Sequence, residues 1–179
     1  MTIACLGWGS LIWQPKTLPV NEADWFADGP KLPLEFARHS GEDRITLVVM
    51  QDGPAVPVCW CKLPYDTLAE AVIALTKREN TKPEWIGRWP DSSEETYLHC
   101  KIIESWAVEK GLSGVVWAAL PPRWDEQNGS IPSLEDALAH LRSLGSQEVK
   151  PAIEYILRAP AQIKTPYRAP LEDAVRDRA

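Results

Sequence analysis

Ile3-Ala4-Cys5-Leu6-Gly7-Trp8-Gly9-Ser10-Leu11-Ile12-Trp13 is the stretch on which the reading of this chain turns. It begins as an apolar run of strand length, breaks at Gly-Trp-Gly-Ser and turns apolar again. Residues 2–6 predict a strand buried on both faces. Glycine at 7 and 9 allows positive φ, a sharp turn and close approach of a ligand to the main chain. A strand feeding such a loop, with Ser10 as a candidate helix start, aims several backbone N–H groups at one point. That geometry suits a carboxylate, a phosphate or a developing oxyanion. The same pattern also serves as a plain tight turn, so the meaning of the loop depends on the rest of the chain.

At 179 residues the chain is long enough for one domain with a real core, and its hydrophobic fraction of 45% is ordinary. Acidic residues outnumber basic ones by 25 to 19, for a net charge of −6, and no Lys/Arg cluster runs along any segment. Nucleic acid and anionic membrane surfaces are therefore not expected partners. No apolar run approaches the roughly 18 residues of a membrane span. The N-terminus has no basic segment followed by a long apolar one, so no signal peptide is expected. Cys5, Cys59, Cys61 and Cys100 form no C-x-x-C pair, and the expectation is reduced thiols in a cytoplasm. The three His share no metal-ligand spacing, so no metal and no cofactor is expected.

Leu34–Arg38, Ile45–Met50 and Val56–Leu63 read as further strands, separated by Ser40-Gly41-Glu42-Asp43 and Asp52-Gly53-Pro54 turns. In the third of these, alternation puts Cys59 and Cys61 on one face and Val58 and Trp60 on the other. Thr67 with Glu70 three residues on forms a capping box for a helix that Asn80 and Pro83 end. Trp85 to Asp91 reads as a loop, 96–110 as a helix closed by Gly111, and 114–120 as a buried strand. Ser133 with Asp136 caps a helix over 134–144, a last helix covers 146–158, and the stretch from Pro160 is Pro-rich and then charged. Four strands, two helices, a strand and two helices do not alternate as βαβα. The order predicts an α+β fold: a small mixed β-barrel or strongly curled sheet with helices packed outside.

Leu68, Val72 and Leu75 form the apolar stripe of the capped helix, and the next position on it is Glu79. Burial disfavours a charged carboxylate, so a Glu at such a position has a chemical task, a partner, or a helix end that lifts it into solvent. Arg78 and Arg88 are the candidate partners.

Trp8-Gly9-Ser10-Leu11-Ile12-Trp13 resembles the Tyr-Gly-Ser-Leu-x-Trp loop of the γ-glutamylcyclotransferase-like superfamily, and most nearly that of its bacterial cation-transport-regulator branch, which acts on glutathione. Phe36-Ala37-Arg38-His39-Ser40 resembles the Phe-x-Arg-x-Ser strand end found there. Leu75-Thr76-Lys77-Arg78-Glu79 resembles the helix end bearing the catalytic Glu. The resemblance implies one domain of that fold over residues 1–160, with a tail over 161–179. It implies a lyase- or transferase-type cyclotransferase that needs no cofactor. The substrate α-amino group attacks its own γ-carbonyl, giving 5-oxoproline and a free amine. Glu79 would be the general acid/base. Gly7, Trp8, Gly9, Ser10 and Leu11 would hold the α-carboxylate or oxyanion. Trp13 would wall the pocket with Trp8, and Arg38 would bind a substrate carboxylate. A small γ-glutamyl molecule is then the only partner implied besides a second copy, as monomer or homodimer. Trp8 stands where that loop carries Tyr, and Asn80-Thr81-Lys82 replaces the Gly-Gly-Tyr that often follows the Glu.

Two other classes fit the residues. One is a non-catalytic small-molecule binding module on the same fold. The other is an amidase or acyl transferase using Cys59 or Cys61 with His39.

Overall fold

The computed structural model describes residues 2–91, 93–176 and 178. In chain order the strands are β1 (Ile3–Gly7), β2 (Lys31–Ser40), β3 (Arg44–Val49), β4 (Ala55–Pro57), β5 (Cys59–Leu63), β6 (Ile86–Trp89), β7 (Gly114–Ala118), β8 (Arg123–Trp124) and β9 (Gln127–Asn128). The helices are α1 (Leu68–Glu79), α2 (Cys100–Glu109), α3 (Leu134–Ser143), α4 (Lys150–Arg158) and α5 (Arg168–Arg176).

The locally specified elements form where their caps require. Thr67 Oγ1 accepts from the Glu70 N–H at 3.3 Å, and the Glu70 carboxylate accepts from the Thr67 N–H at 3.0 Å. Asn80 ends α1 in the left-handed region at φ 49°. Ser133 and Asp136 open α3 by the same reciprocal bonds.

The first sheet has the order β5-β1-β7-β6, with β1 parallel to β7 and antiparallel to β5. The second has the order β3-β2-β8-β9, with β4 also pairing β2. Both sheets are mixed and the fold is α+β; the described residues close no barrel. β1 is buried on both faces, as its apolar run predicts. Ile3 and Cys5 pack with Cys61, Leu75 and Val116 against α1. Ala4 and Leu6 join a larger core that takes Phe36 and Leu47 from the second sheet and apolar residues from α2 to α5. The alternation read in residues 58–61 holds, since Val58 and Trp60 face the larger core and Cys61 the smaller.

Several elements differ from the sequence reading, each for a local reason. The single strand expected over Val56–Leu63 is two, because Val58 crosses Gly29 between the sheets. A Cβ at Gly29 would lie 2.5 Å from the Val58 carbonyl oxygen, and the Gly29 N–H donates to that oxygen. β4 thus stays with β2 while β5 pairs β1. The loop expected at Trp85–Asp91 contains β6, an edge strand on β7 in which Gly87 leaves room for the Trp117 indole. The helix expected over 96–110 begins only at Cys100, because His99 is left-handed at φ 62° and the Glu94 carboxylate caps the His99 and Lys101 N–H groups. The last expected helix, 146–158, begins at Lys150. The stretch read as a tail carries α5, whose Leu171 and Val175 are fully buried. Among the described residues no helix is long and apolar enough to cross a membrane.

Candidate functional site

The C-terminal ends of the parallel strands β1 and β7 open into one cleft of about 390 Å³. Its walls come from the loop after β1, the β2–β3 hairpin end, the last turn of α1, the segment after β7, and α4. Gly7, Trp8, Gly9, Ser10, Leu11, Arg38 and Glu79 all line it.

The loop after β1 is built by space rather than by backbone sign. Positive φ among the glycines occurs at Gly53, Gly111 and Gly129, so neither Gly7 nor Gly9 needs it. Each instead makes room for a ring. A Cβ at Gly7 would lie 2.6 Å from Trp25, and one at Gly9 would lie 1.9 Å from the Tyr155 hydroxyl. Ser10 starts no helix. The chain makes one turn, with Ile12 N–H donating to Gly9 O at 3.0 Å and Gln14 N–H to Ser10 O at 2.8 Å. The N–H groups of Trp8, Gly9, Ser10 and Leu11 donate to no other described group. A run of uncommitted backbone donors on a cleft wall can receive an anion.

Arg78 locks this loop to α1. Its guanidinium donates to Gln14 O at 2.8 Å, to Ser10 Oγ at 3.3 Å and to Glu79 Oε1 at 2.7 Å. The Arg78 side chain is 5% exposed and that of Glu79 14%. The apolar stripe therefore does carry Glu79 inward, where Arg78 is its partner. The pair fixes one carboxylate oxygen, and Oε2 has no hydrogen-bond partner among the described residues. Arg78 Nε is buried and equally without a partner.

Across the cleft, Arg38 and Arg123 are cross-strand partners on β2 and β8. Arg38 donates to Pro121 O at 2.8 Å, and Arg123 pairs with the exposed Glu126. Burial holds the Arg38 guanidinium below the usual arginine range, and the like charge of Arg123 adds to this. Arg38 remains protonated at any physiological pH. Arg44 and Lys16 complete a wall whose one acid is Glu79.

Tyr155 reaches the cleft from α4. Its hydroxyl accepts from the Leu47 N–H at 3.2 Å. Burial raises its phenol well above the ordinary value, with the nearby Glu79 charge adding, so it stays a neutral donor. Trp8 is held by an indole bond to Leu47 O at 3.1 Å. Trp13 is not on the cleft wall; it packs edge-on against Tyr155 at 5.6 Å, with the Arg158 guanidinium 5.2 Å from its ring centroid.

No cysteine lines the cleft. Cys5 and Cys61 are fully buried and burial pushes both thiols up, Cys61 to about 12. Burial raises Cys59 as well, and its sulfur accepts from Gln162. His39 contacts Asp43, His140 and Trp124 instead. These are protonated, shielded thiols, the opposite of what a thiolate nucleophile needs.

Sequence reasoning singled out the loop, Arg38 and Glu79, which line the cleft, but passed over Arg123 and Tyr155, which line it too. The only trace of Tyr155 in the sequence is a hydroxyl on the apolar face of the helix over 150–158. Searches of protein-family models, curated proteins and solved structures find nothing that matches this chain.

Proposed function

We propose that this chain is a γ-glutamylcyclotransferase-like enzyme that converts a γ-glutamyl amide or peptide to 5-oxoproline and a free amine, on a curled-sheet fold of that superfamily. The observation that carries this reading is one cleft in which a carboxylate with a free oxygen, Glu79, lies with four uncommitted backbone N–H groups and the Arg38 guanidinium, which meets no carboxylate among the described residues.

The reaction needs a substrate held folded, one proton moved and one oxyanion stabilised. The α-amino nitrogen attacks the γ-carbonyl carbon, a C–N bond forms, and the bond to the leaving nitrogen breaks. Glu79 Oε2 takes the proton from the attacking nitrogen and returns one to the leaving nitrogen. The Trp8–Leu11 N–H groups bind the α-carboxylate or the oxyanion. The Tyr155 hydroxyl is a further donor on the same wall. Arg38 and Arg123 hold a substrate carboxylate.

The direct test is a panel of γ-glutamyl amides and dipeptides, including glutathione, with 5-oxoproline read by mass spectrometry. Glu79→Gln keeps an acceptor for Arg78 and removes the base, so a folded variant should lose turnover by at least about a hundredfold. Turnover left intact in that variant would sink the assignment of Glu79. The Arg78–Glu79 ion pair also favours a second reading, a binding module with its carboxylate held in a structural role. That reading predicts tight binding of 5-oxoproline or a γ-glutamyl amide with no product from any panel member.

A further inference from the structure

Beside the cleft, three side chains from separate elements meet. His39 lies at the end of β2, Asp43 in the turn before β3, and His140 on α3. Spacing along the chain hides this cluster; folding creates it.

One donor atom from each residue lies within 4.8 Å of the other two. His39 Nε2 is 3.4 Å from Asp43 Oδ1. Tetrahedral coordination with bonds of about 2.0–2.2 Å sets neighbouring donors about 3.4 Å apart, so this pair already has ligand spacing. The two imidazoles are 4.7 Å apart at 62°, and Trp124 packs on both, at 5.8 and 5.6 Å. The indole covers one side of the cluster and leaves the Asp43 side, 49% exposed, as the way in.

His140 Nε2 donates to the Asp43 carbonyl oxygen at 3.0 Å. A carbonyl only accepts, so this bond sets the tautomer and leaves the other ring nitrogen its lone pair. Carbonyl-anchored imidazoles of this kind are how metal-binding histidines are oriented. Asp43 itself is held at φ 54° beside Glu42 at φ 61°, a conformation rare for residues other than glycine. Strain of that kind concentrates where a side chain must be presented in one direction.

We propose that His39, Asp43 and His140 bind a late first-row divalent cation such as Zn2+, with water in the fourth position. Two imidazoles and one carboxylate select this class over Mg2+ or Ca2+, which take all-oxygen sets. The site bridges β2, the β2–β3 turn and α3. The neighbouring Ser40, Gly41 and Arg44 line the cleft, so the ion braces the rim that carries Arg44. The inference rests on the cluster alone and not on the reaction proposed above.

The experiment is a titration of the full chain with Co2+, read by the visible bands of four-coordinate cobalt, followed by displacement with Zn2+. Saturation at one equivalent and loss of the bands on adding Zn2+ are expected. His39→Gln and His140→Gln each weaken binding by at least about tenfold, while His99→Gln, outside the cluster, leaves it unchanged. Asp43→Asn keeps the residue type best suited to positive φ and removes the charge, so it tests the third ligand with the turn intact. Circular dichroism establishes that each variant is folded. No saturable binding by the wild-type chain, or undiminished binding by folded His140→Gln or Asp43→Asn, overturns the proposal.

Discussion

At the scale of single residues, Gly9 and Tyr155 are one feature. The missing Cβ of Gly9 is the space that the Tyr155 hydroxyl occupies, and that hydroxyl in turn takes the Leu47 N–H. A methyl group at position 9 must push the ring out of a packed core. Gly9→Ala should therefore cost about 1–3 kcal/mol by overpacking. The nearest atom is the hydroxyl oxygen at 1.9 Å, with ring carbon Cζ next at 2.6 Å, so Tyr155→Phe relieves part of the clash but not all of it. In a double-mutant cycle read by urea denaturation, Gly9→Ala should cost at least about 0.5 kcal/mol less when combined with Tyr155→Phe than when made alone. Additive effects would mean that the two residues do not share the space. Gly7 under Trp25 and Gly87 under Trp117 repeat the arrangement, a ring laid on bare backbone.

At the scale of elements, the β2 strand is tied to the C-terminal segment by a buried acid. Glu35 is 8% exposed; it accepts from the Thr165 hydroxyl at 2.6 Å, the Phe36 N–H at 2.8 Å and the Tyr167 N–H at 3.2 Å. Burial nevertheless dominates and raises its carboxyl above the ordinary value. A carboxyl that binds its proton more tightly folded than unfolded stabilises the fold fully below the unfolded pKa of about 4.3, and loses that contribution as pH rises through the folded value. Relative to Glu35→Gln, wild-type stability should therefore gain as pH falls through that window, measured as urea midpoints at several pH values. A difference that stays constant with pH would mean the carboxyl has no raised value. At neutral pH the Gln carbonyl keeps the Thr165 and Phe36 bonds but its amide turns an N–H toward the Tyr167 N–H, which then lacks an acceptor, and the variant should be less stable by about 1–3 kcal/mol.

The elements also divide by where their determinants lie. The α1 and α3 starts are legible because cap and capped N–H are three residues apart. β1 is legible because burial on both faces leaves an unbroken apolar run. β6 is short, bounded by Pro83 and Pro90 and without alternation; its pairing is decided by Trp117 lying over Gly87. α5 has a mixed charged sequence, and only the surface that it meets selects Leu171 and Val175. The site divides likewise. Glu79 is visible because it interrupts a stripe on its own helix, and the 7–11 loop because its glycines punctuate a strand. Tyr155 and Arg123 enter through partners more than a hundred and about eighty positions away, at Leu47 and Arg38, a relation that no local pattern encodes.

At the scale of the molecule, a chain of net charge −6 encloses a cleft lined by Lys16, Arg38, Arg44, Arg78 and Arg123 against one acid. An anion entering the cleft therefore crosses from a repelling surface field into an attracting one. Salt screens both over a Debye length of about 10 Å at 0.1 M, but walls of low dielectric focus the local field. On the proposed reaction, if the cationic wall governs capture, kcat/KM for an anionic γ-glutamyl substrate should fall several-fold, on the order of the usual steering effect, as ionic strength rises at constant pH. A rise with salt would assign control to the acidic exterior instead. The parallel pairing of β1 with β7 has a consequence of another kind. Both central strands release their chains at the same edge, so 8–14 and 119–122 are loops that share a cleft while the sheet beneath them stays paired. Exchanges at loop positions that no ring or hydrogen bond holds change what the cleft admits while β1 and β7 stay paired. The architecture thus separates what must be inherited from what a lineage is free to vary, and descendants of this chain can change ligand without having to change fold.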